Sequence, residues 1–302
     1  MIHRLATVVC CALLLAGAGL ALAGLPSTAA ASAAVDDWTH DWEVVRLMHS
    51  QPATSVVVYY LGDSTARESV VSDALWTTRL QQRAAAAGKV SSAVVYSLTA
   101  HNQTFGMDGQ LIGSLPATPA GVARGIVLIG VGLSRFIGPP LRQPAAVTPP
   151  SPGEPPVLSP WVRHKYAERS PLSLAHKRAL VPRWLQRRWA HFVDHRAANL
   201  GAIGRLVDAC RKKRLRPVLI DLPLDLAVVR HGLDAPRDSY RAACRRLARR
   251  RHVLYVAYAD PPRLPNACFW DLMHLLPPGS ARWQSLLTDD LVRLLPKEQP
   301  TP

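Results

Sequence analysis

Residues 55–67 read SVVVYYLGDSTAR. An unbroken apolar run is closed by Gly62, Asp63 and Ser64, and a helix-like stretch follows. A run that is continuous rather than alternating reads as a strand buried on both faces, as strands are inside a parallel sheet. Four more runs share this character: SAVVYSL (92–98), GIVLIGV (125–131), PVLIDL (217–222) and HVLYVAY (252–258). Helical patterns lie between them. Residues 65–87 carry Ala74, Leu75 and Leu80; residues 184–214 carry Trp184, Leu185, Trp189, Phe192, Ala198, Ile203, Leu206 and Val207; residues 238–251 precede the last run. Residues 280–295 close the chain with Trp283, Leu286, Leu287, Leu291, Leu294 and Leu295 on one stripe. Alternating strand and helix predicts an α/β domain with a mainly parallel, doubly wound sheet of five strands and right-handed crossovers. No internal repeat is visible.

The chain has 302 residues and 48% apolar content, ordinary for a globular core. Residues 1–34 stand apart from that core. Arg4 gives a short positive start, a long Leu/Ala/Gly stretch follows, and small residues come next with an A-x-A pattern at Ala31-Ser32-Ala33. This is the form of a secretory signal peptide. The alternative is an uncleaved anchor, because Leu5 to Leu25 is nearly long enough to span a bilayer. Both place the domain outside the cytoplasm, secreted or associated with the cell envelope. The organisation expected is a leader over 1–34, a linker over 35–54, the domain over 55–296 and a tail over 297–302. Inside the domain, residues 138–171 are too Pro-rich for a helix or inner strand. This stretch leaves the third strand at its carboxyl end, where open α/β sheets bind ligands, so it reads either as a substrate-facing lid or as a floppy insertion.

The formal charge is +15, and only six of the 36 basic residues are lysines. Runs such as CRKKRLR and CRRLARRRH resemble nucleic-acid-binding patches, but a solvated helix face with a cationic end explains them equally well. No nucleic-acid partner is expected; an anionic envelope surface is the more natural contact for an exported cation. Cys10 and Cys11 fall in the leader, and Val9 spoils a lipobox. Cys210, Cys244 and Cys268 form an odd set without metal-ligand spacing, open to one disulfide or to three buried thiols.

Ser64 follows the first strand directly, which puts its hydroxyl at the carboxyl edge of the sheet and at the start of the next helix. Free N–H groups and the helix dipole there favour a developing negative charge. An ordinary helix N-cap accounts for such a serine just as simply. The second piece is FWDLMHLLPPGSARW, residues 269–283, between the fifth strand and the last helix. Asp271 and His274 are three apart, within contact range on one helical turn. A carboxylate so placed fixes the imidazole tautomer and stabilises its protonated form, while the other ring nitrogen takes a proton from a serine. Both pieces follow strands whose carboxyl ends share one edge of a doubly wound sheet.

With these residues the sequence resembles the SGNH (GDSL-like) hydrolase superfamily of extracytoplasmic bacterial type. GDS with Ser64 matches its first block, DLMH with Asp271 and His274 its last, and LLPPGSARWQSLL its usual helix start after the histidine. The resemblance implies a three-layer α/β/α domain, a Ser64–His274–Asp271 triad, no cofactor or metal, and cleavage or transfer of an acyl ester through an acyl-serine. Its substrates would be acylated glycans, lipids or small esters. It also implies an oxyanion hole in which the Ser64 N–H is one donor.

The middle blocks depart from the family pattern. Where the family has a glycine after the second strand, YSLTAHNQTFG puts Asn102. Where it has G-x-N-D after the third strand, GVGL keeps Gly130 but puts Gly132 in place of the asparagine. Losing one such donor typically costs about 2.7–4 kcal/mol of transition-state stabilisation. The expected hole is therefore Ser64, Asn102 and Gly132, with Asn102 as a substitute side-chain donor and Ser134 or Arg135 just beyond. Other candidates rank lower. Asp63 reads as turn-fixing, and His101 as an ordinary polar loop histidine or, less commonly, as a residue lining the site. Asp221, Pro223 and Asp225 follow the fourth strand. Trp161, Trp184 and Trp189 read as core or lid residues, or as a face for stacking sugars. The competing reading is an SGNH-fold protein that has lost turnover and binds carbohydrate or envelope; a third is a basic protein that coats anionic polymers.

Overall fold

Each apolar run forms a strand: β1 Val57–Gly62, β2 Val94–Thr99, β3 Ile126–Val131, β4 Arg216–Asp221 and β5 Leu254–Val256. All pair parallel, in the order β2-β1-β3-β4-β5. The structure is a computed structural model, and it describes residues 28–51, 55–140, 165–229, 232–258 and 264–297. The chain divides into two compact units, residues 1–36 and residues 37–302, and the second contains the whole sheet.

The helices are α1 Thr28–Ser50, α2 Ser64–Arg67, α3 Asp73–Ala86, α4 Phe105–Ser114, α5 Leu174–Lys212, α6 Leu226–Val229, α7 Asp234–Arg251 and α8 Pro277–Leu294. Period-two alternation divides each strand between two layers. Tyr59, Leu61, Val127, Ile129 and Leu219 face α4, α5, α7 and the end of α1. Val58, Tyr60, Leu128, Val218 and Ile220 face α3 and α8, chiefly through Trp76, Leu80, Trp283 and Leu287. The result is the three-layer α/β/α architecture, with a sheet that is wholly parallel among the described residues. In this strand order the direction in which strands are added reverses between β1 and β3, and ligands bind at such a switch point, outside the carboxyl ends of the strands.

Two of the longer helices were not legible. The stretch read as a linker over 35–54 is helical as far as Ser50, and Val44, Val45 and Met48 are buried in the core. Helix α4 carries Gly106, Gly109 and Gly113, each a poor helix former, yet Phe105, Met107, Leu111 and Ile112 bury one face and outweigh that cost. The stretch read as a leader falls mostly outside the described residues, as do most of the Pro-rich stretch and Trp161. Among the described residues no helix is long and apolar enough to cross a membrane. Cys210, Cys244 and Cys268 are all buried free thiols. Burial pushes the Cys210 thiol up to about 12.

Candidate active site

The turn after β1 is tight. A Cβ at Gly62 would stand 2.2 Å from the Cβ of Ala66, so only glycine lets α2 fold back this closely. Asp63 caps α2, its Oδ1 accepting the Thr65 N–H at 3.0 Å. Capping is therefore done by Asp63, and the Ser64 hydroxyl is released for something else. The dipole expected at this point is smaller than the sequence suggested, because α2 is a single turn of four residues.

The Ser64 Oγ lies 3.0 Å from Nε2 of His274. On the other side of the ring, Nδ1 lies 2.9 Å from Oδ2 of Asp271. The second carboxylate oxygen, Oδ1, accepts the backbone N–H groups of Met273 at 2.9 Å and His274 at 2.8 Å. The acid thus shapes the turn that carries the histidine and orients its ring with the same group. Burial pushes Asp271 up, but the hydrogen bond and charge of His274 and the two backbone N–H groups outweigh it and hold the carboxyl below its usual range. Burial pushes His274 down, and the hydrogen bond and charge of Asp271, with Asp63 and Glu68 behind, bring it above the ordinary imidazole value.

The loop bearing His274 is anchored from three directions. Phe269 and Leu275 form an antiparallel bridge, and the Trp270 N–H donates to the His274 carbonyl at 2.9 Å. On α8, a Cβ at Gly279 would stand 2.5 Å from the Cys268 carbonyl, so the glycine two residues into that helix lets the loop lie against it. From α5, the fully buried Lys177 ammonium donates to Asp225 (3.0 Å), to the Asn266 side chain and carbonyl, and to the Phe269 carbonyl. Asp225, a candidate for the ligand edge, is thereby assigned to this anchor. Beside the histidine, Tyr166 stacks on Trp270 with centroids 4.3 Å apart and stands 5.1 Å from the His274 ring.

A cavity of about 530 Å³ opens over Ser64 and His274, within the usual range for small-molecule sites. His101, Asn102 and Ser134 line it, as do Arg187, Arg188 and His191 of α5. Asn102 holds a left-handed φ of 61°, which asparagine tolerates better than most residues. Burial, with Lys165 and His274 next, depresses the pKa of His101. Gly132, the third member of the expected hole, is not among the described residues lining this cavity. A Cβ there would stand 3.2 Å from the Leu222 Cβ, so a side chain at this position would press on β4's exit loop. Arg135 also borders the cavity, but its guanidinium is fully buried, paired with Asp108 at 2.6 Å and bonded to the Gly130 carbonyl at 2.8 Å, and only its buried Nε lacks a partner.

Asp221 and Pro223 line a different and smaller pocket. Asp221 is held there by Arg241 and by the Tyr255 hydroxyl. Trp184 is core, and Trp189 stacks on Phe192 at 5.1 Å. Tyr166, Trp270 and the cationic residues of α5 went unnoticed in the sequence. They sit in a Pro-rich flank, inside the histidine motif and within a helix whose pattern gave only its apolar face.

No known protein-family model matches the chain, and no curated protein is similar to it in sequence. Among solved structures, it is similar to a GDSL-like lipase from Bacteroides thetaiotaomicron, at 11% identity over 85% of this chain and 99% of that one, with a TM-score of 0.40. It is also similar to a carbohydrate esterase family 2 enzyme with a carbohydrate-binding domain from Corynascus thermopiles (Myceliophthora fergusii), at 13% identity over 80% of this chain and 67% of that one, with a TM-score of 0.39. At these scores neither likeness decides anything about the site.

Proposed function

We propose that this chain is an exported serine hydrolase of the SGNH type that cleaves or transfers an acyl ester. One observation carries the reading: a serine, an imidazole and a carboxylate hydrogen-bonded in line at 3.0 and 2.9 Å, at the mouth of a cavity on the sheet's switch point. Ser64 Oγ attacks the acyl carbon while its proton passes to Nε2 of His274. Asp271 remains ionised and stabilises the imidazolium. The tetrahedral intermediate collapses, the C–O bond to the alcohol breaks, and the alcohol leaves with the proton from Nε2. Water, or an acceptor hydroxyl, then attacks the acyl-serine by the same route in reverse. General base catalysis of this kind contributes about 10²–10⁴-fold. The Ser64 N–H and the Asn102 side chain are the donors proposed for the oxyanion, and substrates are acylated glycans, lipids or small esters of the cell envelope.

The experiment is hydrolysis of 4-nitrophenyl acetate by the purified chain. Turnover that disappears in Ser64→Ala supports the proposal; turnover that persists there excludes Ser64 as nucleophile. The specific observation favouring the second reading, a binding protein without turnover, is Gly132. It brings no side-chain donor, and a residue there would face Leu222 rather than the cavity.

A further inference from the structure

Among the described residues, only a minority of the arginines pair with a carboxylate. Arg67 pairs with Asp37 and Glu68, Arg83 with Asp289, Arg135 with Asp108, Arg237 with Asp234 and Asp238, Arg241 with Asp221, and Arg251 with Asp208. Arg187 and Arg188 belong to the unpaired majority, and their place in the molecule sets them apart. Among the described residues neither has an acidic partner, yet both line the cavity that holds Ser64 and His274. They stand four and three residues before His191, which lines the same cavity, so one side of α5 presents all three. Among the described residues of the lining, the only carboxylate is Asp63. It is 5% exposed and already caps α2. Among the described residues, the part of the cavity wall formed by α5 therefore carries two guanidinium charges without an acidic partner. Guanidinium groups in that position favour anions with paired oxygens, as carboxylates and phosphates have, and a cleft with low-dielectric walls strengthens the pull.

We propose that the cavity takes esters bearing a carboxylate or phosphate group, which Arg187 and Arg188 hold while Ser64 attacks the acyl carbon. This rests on the esterase reading above and adds the class of substrate. The charge lies away from the reacting centre. Binding it raises kcat/KM by steering and orienting the ester, and salt weakens the effect. The guanidiniums serve either anion, so carboxylate and phosphate are left for experiment to separate.

The test compares acetate release from three O-acetyl esters: methyl glucoside, methyl glucuronoside and methyl glucoside 6-phosphate. At low ionic strength at least one anionic ester should exceed the neutral one by about tenfold or more in kcat/KM. Which one does so identifies the anion. The advantage should shrink in high salt, and Arg187→Glu with Arg188→Glu should abolish or invert it. These residues are exposed on a long helix, and circular dichroism checks that the variant is folded. Equal rates for all three esters, or a ratio untouched by the charge reversal, would overturn the inference. Labelling of Ser64 by a fluorophosphonate separates the two failures. A labelled enzyme without anionic preference sinks the substrate class alone. An unlabelled, folded one sinks the esterase reading and this inference with it.

Discussion

The loop that follows β2 and the loop that carries His274 are each tied down by a buried ionic knot. Under the first, Gln103 bonds the Ala100 N–H, the Leu98 carbonyl and Asp108, and Asp108 pairs with Arg135. Under the second, Lys177 pairs with Asp225 and gathers the carbonyls of Asn266 and Phe269. The scaffolds are alike, but what they present differs. The second loop ends in three side chains locked in sequence, from Asp271 through His274 to Ser64. The first ends in Asn102, exposed and in a left-handed turn, with Gly132 across the switch point contributing no side chain. The proton-transfer half of the site is fully assembled. The half that would receive the oxyanion leans on backbone N–H groups and one asparagine.

Substitutions can break that contrast, starting with the largest effect. Ser64→Ala should lower kcat by about 10⁵-fold or more, because the nucleophile and its base act as a unit. A loss of only tenfold, measured as acetate release, would mean the assembled half is ornamental. Asp271→Asn should cost about 10⁴-fold, since the amide would favour the wrong imidazole tautomer. Lys177→Met leaves the Asp225 carboxylate buried without its counter-charge and should cost about 3–5 kcal/mol in urea unfolding. If stability is unchanged, the knot is not what holds the histidine loop. Asn102→Ala should lower kcat by about 10²–10³-fold if its amide meets the oxyanion. An unchanged kcat would leave that half of the site to backbone groups alone.

The smallest effect is a displacement in pH. His274 must be neutral to accept the serine proton, and its pKa is raised above the ordinary 6.5, after burial is outweighed by Asp271. Activity should therefore rise with pH through an acid limb lying above 6.5. In the residual activity of Asp271→Asn that limb should move to lower pH. An acid limb at or below 6.5 in the unmodified protein would contradict the electrostatic role given to Asp271.

The strands were legible because burial on both faces writes an unbroken apolar run, and the parallel order followed from the helices between them. Helix α4 was hidden by three glycines whose cost only tertiary burial repays. The core-facing end of α1 was hidden by its place beside the apolar stretch over 1–34. Ser64 was legible because it directly follows the end of β1, and Asp271 and His274 because they stand three apart in the loop that leads into the last helix. Two matters were not. That Asp63 rather than Ser64 caps α2 depends on a 3.0 Å contact. That Arg187 and Arg188 look into the cavity depends on where a 39-residue helix crosses the sheet's edge, which its apolar stripe does not specify.

The central claim is that Ser64 is an activated nucleophile. Its most direct measurement is treatment of the folded chain with a fluorophosphonate, followed by peptide mass analysis. The expected result is a single adduct on Ser64 that is lost in Ser64→Ala and strongly slowed in Asp271→Asn. No adduct on a well-folded sample, or one placed on another residue, would contradict it.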